Sequence, residues 1–277
     1  MIRELSQSII NMTTRCGYQT YLRYVKGIVI PPGVAARKGS SVHAGIEHNY
    51  RHRIEAEEQA PLDEVLDVTN ETFKRLIKEE GVWFSDDDLP EKNNILTEKL
   101  NESISMAHFY HEDIAPNDQE IALVEERLYA DIDAGMPICG KPDVVADGKL
   151  RDVKTSGKRW PKGREEEEIQ PVMYGILLRE NGFGNVPAEY YIMTNMKNGP
   201  KDDNCIWNGE LKVCCDIREA DTSKSSEEAL IARIRTVADM IHKGAFPPAY
   251  PGAWWCSPQW CGYFGMCKYV KGRVITS

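Results

Sequence analysis

The sequence predicts an α/β fold with an N-terminal helical region and a Cys-rich C-terminal tail. Segments of helical and of strand periodicity alternate along the chain. One strong hairpin signal, Asp147-Gly148, lies among the strand segments. The segment from Gly244 onward is rich in Pro, Gly, Trp and Cys, which predicts an irregular tail. With 277 residues, of which 42% are hydrophobic and 28% charged, the chain is typical of a globular protein that buries a core.

Helices are predicted where apolar residues recur at helical spacing. Pro31-Pro32-Gly33 breaks the chain after the first helix, and Ser40 or Ser41 would cap the second. Asn181-Gly182 closes a later helix. The predicted helices are 4–26, 40–58, 62–80, 91–113, 166–181 and 224–243.

Strands are predicted where apolar and β-branched residues form short runs between turn signals. Gly135 and Pro137 mark the turn after the first of them, and a basic loop at 157–164 follows the third. The predicted strands are 121–132, 138–146, 149–154, 187–194 and 205–217.

One short run carries the main indication of chemistry. Gly140-Lys141-Pro142-Asp143 is followed nine residues later by Asp152-Val153-Lys154. Asp152 and Lys154 are two apart on a predicted strand, so their side chains point to the same face. Two carboxylates can share a hard cation such as Mg²⁺ or Mn²⁺, and an ammonium beside them can reach a water or a phosphate. The spacing suits a metal-dependent phosphodiesterase, although a hairpin with solvated charges would show it as well.

The charge pattern narrows the class of protein. A formal net charge of −9 disfavours a protein that coats nucleic acid nonspecifically. The acid is concentrated in 55–126 and in the four glutamates 165–168, whereas basic residues bracket the motif, where a phosphate backbone would lie. Those residues are Arg151, Lys154, Lys158, Arg159, Lys162 and Arg164, and Arg37-Lys38 forms a further cluster. No apolar run approaches a membrane span and the segment 1–12 is too polar for a secretory signal, so we expect a cytoplasmic protein with no membrane partner.

The eight cysteines fall into distinct groups. In a cytosolic protein, cysteines are more often metal ligands or buried thiols than disulfides. Cys16 lies alone on the first predicted helix, and Cys256, Cys261 and Cys267 cluster in the irregular tail. The remaining four are interpreted as core strand residues: Cys139, Cys205, Cys214 and Cys215.

The order helix, strand, hairpin, helix, strand around this motif resembles the core of the PD-(D/E)XK nuclease superfamily, and more narrowly its RecB-type branch. Further matching features are His43 upstream, Glu125 or Glu126 before the motif, the run Gln170-Pro171-Val172-Met173-Tyr174 after it, and the cysteine pattern. The resemblance implies a restriction-endonuclease-like core with a mixed central sheet flanked by helices. It also implies one nuclease domain, 1–277, with a helical cap or insertion at 40–115, a catalytic core at 116–220, and a metal-cluster staple made by 244–277 with Cys16.

The same resemblance implies an active site that binds a divalent cation. Asp143 and Asp152 would bind Mg²⁺ or Mn²⁺, and the carbonyl of Val153 and the imidazole of His43 would be further ligands. Lys154 would orient or deprotonate the attacking water and offset charge in the transition state.

Glu125 and Glu126 compete for one place in that site. Neighbouring residues on a strand point to opposite faces, so only one of the two can face the metal, and we favour Glu125. Gln170 and Tyr174 lie one helical turn apart, share a face, and would reach the active-site strands or the DNA backbone.

Cys16, Cys256, Cys261 and Cys267 resemble the four-cysteine [4Fe–4S] staple of RecB-type nucleases, which has one cysteine before the core and three after it. The four residues between Cys256 and Cys261 depart from the commonest spacing, which has two. Tetrahedral Zn²⁺ is the alternative occupant, and buried thiols without metal are a further one. A metal staple would join the two ends of the chain and order the tail.

We therefore expect a metal-dependent DNA nuclease, and specifically an exonuclease on single strands or duplex ends in recombination, repair or replication. A recombination or replication protein would be its partner. The alternatives are a CRISPR-associated adaptation nuclease of the same fold and a non-catalytic iron–sulfur or zinc DNA-binding protein. Strandedness, cleavage polarity and oligomeric state are not predicted.

Overall fold

The computed structural model describes residues 2–196, 205–208, 211–250 and 252–270. Within these ranges the chain forms a six-stranded mixed sheet with helices on both faces and a separate two-stranded sheet, which confirms the predicted fold class. The helices are α1 (Gln7–Arg15), α2 (Gly17–Thr20), α3 (Val34–Ala56), α4 (Leu62–Arg75), α5 (Lys92–Phe109), α6 (Gln170–Glu180) and α7 (Lys224–His242). The strands are β1 (Ile121–Val124), β2 (Leu128–Ala130), β3 (Ile138–Gly140), β4 (Val144–Ala146), β5 (Lys149–Ser156), β6 (Ala188–Met196), β7 (Cys205–Asn208) and β8 (Leu211–Glu219).

The main sheet has the order β1-β4-β5-β6-β8-β7. Strands β5 and β6 are parallel and connected through α6, and the other pairs are antiparallel. Strands β2 and β3 form the small antiparallel sheet. Strand β5 lies inside the main sheet, but β4 pairs only with its residues 149–151. The residues at its carboxyl end are therefore paired on one side, by β6. No helix in the described part of the chain has the length and the apolar composition that a bilayer span requires.

Two apolar clusters sandwich the sheet. On one face Leu150 packs with Met173 and Ile234, so this cluster joins β5 to α6 and α7. On the other face Val153 packs in a cluster with Val42 and Met106, so this second cluster joins β5 to α3 and α5. Burying each such side chain stabilises the fold by about 1.5–3 kcal/mol. The alternation along β5 therefore fixes which of its polar residues face α6.

The first predicted helix, 4–26, is broken at Cys16, whose backbone is extended at φ −162°. A π-helical turn, Tyr21–Val25, follows α2. The break lets the backbone of Gly17 pack on the tail, where a Cβ would lie 3.0 Å from Pro247. Tertiary packing with the tail thus overrides the helical periodicity of this segment.

The predicted helix start at Ser40 or Ser41 is wrong. Helix α3 begins at Val34, directly after Gly33, and both serines lie within it. The hydroxyl of Ser41 donates to the Lys38 carbonyl at 2.8 Å, which is a bond inside the helix and not a cap. Likewise α6 begins at Gln170 instead of residue 166, because Pro171 suits a first helical turn and Arg164–Glu167 form a separate 3₁₀ turn.

Three predicted strands are each two strands. The segment 121–132 contains β1 and β2, and 138–146 contains β3 and β4, because the chain leaves one sheet and enters the other within each segment. The segment 205–217 contains β7 and β8, which pair with each other, and residues 209–210 between them lie outside the described part. The first two breaks fall beside the predicted metal ligands.

Candidate active site

The predicted site residues come from separate elements that meet beside β5. Asp152 and Lys154 lie on β5, opposite Tyr190 and Ile192 of β6. Asp143 directly precedes β4, Glu125 directly follows β1, and His43 lies on α3. The fold thus gathers residues that are up to 111 positions apart, from His43 to Lys154, into one place.

His43, Glu125 and Asp143 form a compact group of ligand atoms. Nδ1 of His43 lies 3.2 Å from Glu125 Oε1 and 3.4 Å from Asp143 Oδ1. Its Nε2 lies 3.1 Å from the carbonyl oxygen of Val153. One ligand atom from each of the three side chains lies within 4.8 Å of the others. An imidazole nitrogen with carboxylate and carbonyl oxygens is a donor set that fits Mn²⁺ or Mg²⁺.

The charges of this group reinforce one another. Burial alone would lower the pKa of His43, but the charge of Asp143 and hydrogen bonds to Asp143 and Glu125 outweigh it and raise this pKa well above its ordinary value. Burial alone would raise the pKa of Asp143, but the positive charge of His43 and then that of Lys154 lower it. The Val153 N–H also donates to Asp143 Oδ2 at 2.8 Å. The negative charge of Asp143 is therefore stabilised by two positive side chains and one backbone N–H.

Asp152 and Lys154 form a buried ion pair on the face of β5 that points to α6. Lys154 Nζ lies 2.6 Å from Asp152 Oδ2, and the other carboxylate oxygen is buried without a hydrogen bond from any described residue. Burial raises the pKa of Asp152 to about 7; Lys154 opposes this shift, and the charge of Asp143 adds to it. A buried acceptor without a donor is costly in a protein interior, and a cation would satisfy it.

Gln170 and Tyr174 extend this pair into a hydrogen-bonded chain. Lys154 Nζ donates to Gln170 Oε1 at 2.9 Å, and Gln170 Nε2 donates to the Tyr174 hydroxyl at 2.9 Å. Both side chains lie on one face of α6, one turn apart, as predicted. The amide therefore links the lysine to the helix behind it.

Of the two candidate glutamates, Glu125 lies at His43, whereas Glu126 is exposed. Glu125 has a left-handed backbone, φ +46°, and its N–H donates to the carbonyl of Asp143 at 2.9 Å. Alternation along a regular strand does not explain this selection, because β1 has already ended at Val124.

Two further residues belong to the site by position. Lys141 Nζ lies 2.9 Å from Glu125 Oε2, so it holds the oxygen of Glu125 that does not meet His43. The ring of Tyr190 lies beneath Lys154, whose Nζ is 5.9 Å from the ring centroid. Lys141 lies in the same short run as Asp143, and this proximity in the sequence could have identified it as a site residue. Tyr190 needed the strand register and could not be found from the sequence.

The basic residues around the motif do not all face the site. Arg151 is buried and forms ion pairs with Asp118 and, at 3.0 Å, with Asp147. Lys158 and Lys162 of the loop after β5 are exposed. This loop thus keeps cations accessible next to the end of β5.

The four cysteines predicted to form the staple also come together. Cys16, Cys256, Cys261 and Cys267 line one small cavity of about 20 Å³. The backbone N–H of Ala249 donates to Cys16 Sγ at 3.3 Å, and a side-chain N–H of Gln19 donates to Cys261 Sγ at 3.1 Å. Cys139, Cys214 and Cys215 are buried strand residues, as predicted, and the side chain of Cys205 lies outside the described part.

The spacing of these sulfurs limits what they could bind. Among the described residues, no three of the four cysteines have Sγ atoms that all lie within 4.8 Å of one another. Four thiolates on a tetrahedral Zn²⁺ at about 2.3 Å would lie about 3.8 Å apart. A cubane cluster binds each thiolate through a different iron atom, so it accepts thiolates that lie farther apart.

Comparison with known proteins supports this interpretation of the core. The sequence matches the family model of the PD-(D/E)XK nuclease superfamily over residues 4–268. No protein with curated function matches it. Among solved structures, the fold is similar to a candidate exonuclease from Eubacterium rectale, with a TM-score of 0.55 and 12% sequence identity over 99% of this chain and 90% of that chain. At that identity the similarity concerns the fold alone. Because the family match covers almost the whole chain, this protein belongs to the PD-(D/E)XK nuclease superfamily.

Proposed function

We propose that this protein is a metal-dependent deoxyribonuclease that acts as an exonuclease. The observation that carries the proposal is the meeting of His43, Glu125 and Asp143, with ligand atoms within 4.8 Å, beside the Asp152–Lys154 pair. Membership in the nuclease superfamily supports the reaction class. Both carboxylates and the lysine are present, which argues against an inactive relative.

Mg²⁺ or Mn²⁺ would be held by His43, Asp143, Asp152 and the Val153 carbonyl, with Glu125 beside them. When bound, such a cation polarises the scissile phosphate and lowers the pKa of a water ligand. The buried, unpaired oxygen of Asp152 supports this assignment because it needs a positive partner.

Lys154 would act on the substrate directly. A lysine ammonium has three N–H donors, and two of them point to Asp152 and Gln170. We propose that the third meets the attacking water or a phosphate oxygen, where the positive charge stabilises the transition state. Asp152 and Gln170 would position the ammonium, and Tyr174 would position Gln170.

The RecB-type assignment includes a [4Fe–4S] cluster on Cys16, Cys256, Cys261 and Cys267. Their shared cavity and the N–H···S bonds support a metal cluster, and sulfurs too widely spaced for one tetrahedral ion favour iron–sulfur over Zn²⁺. The cluster would join the two chain ends as a staple, with 40–115 as a helical cap on the catalytic core. A cytoplasmic location and a role in recombination, repair or replication are part of the proposal.

The nuclease proposal is tested by incubating the protein with Mg²⁺ or Mn²⁺ and end-labelled single- and double-stranded DNA. We expect Lys154→Ala to lower kcat by about 10²–10⁴-fold. Lys149→Ala is the matched control, since it removes an exposed lysine from the same strand. Absence of cleavage by wild type, or equal cleavage by both variants, would falsify the enzyme assignment. Closed circular DNA tests the exonuclease assignment, because an exonuclease leaves it intact.

The cluster proposal is tested by anaerobic purification. Broad visible absorbance with iron and sulfide bound to the chain is expected. A colourless protein with one zinc ion per chain would replace iron–sulfur by the zinc site, and a metal-free folded protein would remove the staple.

A further inference from the structure

A groove beside the cysteine cavity combines aromatic rings with positive charge. It lies where the ends of α1 and α7 meet the tail and has a volume of about 670 Å³. Arg15 and Arg233 are the charged members of its described lining, which contains no aspartate or glutamate. In a chain with a net charge of −9, this is a local reversal of charge.

The rings at this groove are unusually exposed. Tyr250, Trp254 and the adjoining Trp260 are 61%, 64% and 55% exposed. Trp254 meets Trp260 edge to face, with ring centroids 5.4 Å apart, so its position is fixed by packing. The guanidinium of Arg15 lies 5.9 Å from the Trp254 centroid. A single exposed aromatic side chain is common on protein surfaces and needs no explanation. A cluster of exposed rings is uncommon and marks a binding surface.

The wall that carries the rings is held in place by the first helices. The N–H of Tyr18 donates to the carbonyl of Pro247 at 3.1 Å, and that of Ala249 donates to Cys16 Sγ at 3.3 Å. A preformed surface loses little conformational entropy on binding.

We propose that this groove binds a single-stranded segment of nucleic acid, with bases stacked on Trp254 and Tyr250 and phosphates at Arg15 and Arg233. The proposal rests on the nucleic-acid substrate proposed above and adds a second binding surface, whose lining includes none of the residues assigned to catalysis. Stacking requires bases whose faces are open, which a single strand offers and an intact duplex does not. The two arginines of the groove, with no carboxylate in its described lining, complement a polyanion and not an apolar protein surface.

The test is fluorescence anisotropy with a labelled oligothymidylate of about 20 nucleotides, longer than common single-strand sites, in EDTA so that no cleavage occurs. We expect Trp254→Ala to weaken binding about 5- to 150-fold. Arg15→Gln should weaken it and reduce the slope of log K against log salt by about 0.7. Tyr129→Ala is the matched control: it is 51% exposed with Arg127 5.3 Å from its ring, but lies outside the groove.

Unchanged binding by both groove variants overturns the proposal, and so does an equal loss in Tyr129→Ala or no binding by wild type. Arg15 is exposed, so Arg15→Gln remains informative if Trp254→Ala misfolds. Repeating the assay with Mg²⁺ or Mn²⁺ separates the two proposals. Cleavage by wild type with unaltered binding by the groove variants removes the groove and keeps the nuclease. Groove-dependent binding without any cleavage keeps the groove and removes the nuclease.

Discussion

Gln170→Ala tests whether the lysine of the site is positioned from α6. Gln170 accepts a hydrogen bond from Lys154 Nζ at 2.9 Å, and its own amide donates to Tyr174. A hydrogen bond to a charged group contributes about 1.5–3 kcal/mol. At about 1.4 kcal/mol per tenfold change in rate, we expect kcat to fall about 10- to 150-fold. Asp152 still pairs with Lys154 at 2.6 Å, so the loss should stay below that of Lys154→Ala.

Tyr174→Phe is the graded companion variant. It keeps the ring, which is buried, and removes the hydroxyl that accepts from Gln170. A hydrogen bond between neutral groups contributes about 0.5–1.5 kcal/mol, so we expect about a 2- to 12-fold fall in kcat. The expected order of damage is Lys154→Ala, then Gln170→Ala, then Tyr174→Phe.

Both variants are measured by steady-state and single-turnover cleavage of end-labelled DNA at saturating cation, with thermal unfolding as the control for fold. Because Gln170 contacts Lys154, its loss should appear in kcat while KM stays near the wild-type value. A raised KM with unchanged kcat would mean that Gln170 binds DNA instead. Greater damage from Tyr174→Phe than from Gln170→Ala would refute the chain of positioning contacts.

Two predictions concern the fold that carries the site. In Gly45→Ala the new Cβ would lie 2.2 Å from Thr69 Oγ1, so we expect the free energy of unfolding in urea to fall by about 1–3 kcal/mol. In a Thr69→Ala background, the same Gly45→Ala change should cost less. An equal loss in the wild-type and Thr69→Ala backgrounds would contradict this. Glu102→Gln should cost about 3 kcal/mol at neutral pH, because it leaves buried Lys38 without its carboxylate. Burial would raise the pKa of Glu102, but Lys99 and Lys38 lower it below 4.5. The stabilisation of the fold by the ionised Glu102 is therefore complete above pH 4.5 and is lost as the pH falls through the lowered pKa. The difference from Glu102→Gln should therefore shrink in acid, and a constant difference would refute the assignment.

Local periodicity accounts for the parts of the site that lie within one element. Asp152 and Lys154 are two apart on a strand and share a face, and their side chains are paired at 2.6 Å. Gln170 and Tyr174 are one turn apart and are hydrogen-bonded. In each case one backbone repeat fixes the geometry, so the sequence alone could predict it.

Contacts between distant segments could not be predicted in this way. In the sequence, Arg37 and Lys38 form a basic cluster apart from the motif, but in the structure both are buried. Arg37 pairs with Glu80 at 2.7 Å and Lys38 with Glu102 at 3.0 Å. Their partners lie 43 and 64 positions away, and no periodicity reports such a distance. Packing of α3 on its neighbours decided their role.

The strand breaks that periodicity missed are the features that assemble the candidate metal ligands. Glu125 lies where the chain leaves β1, and its left-handed backbone costs about 1–2 kcal/mol in a residue other than glycine. Its N–H is tied to the Asp143 carbonyl at 2.9 Å, at the point where the other broken segment enters β4. Contacts to His43 and Lys141 offset the strain. Because the chain leaves β1 and enters β4 at the same level, the carboxylates of Glu125 and Asp143 can both approach the histidine on α3. Periodicity within one segment does not report such a meeting of two segments, whereas the left-handed backbone of Glu125 marks it in the structure.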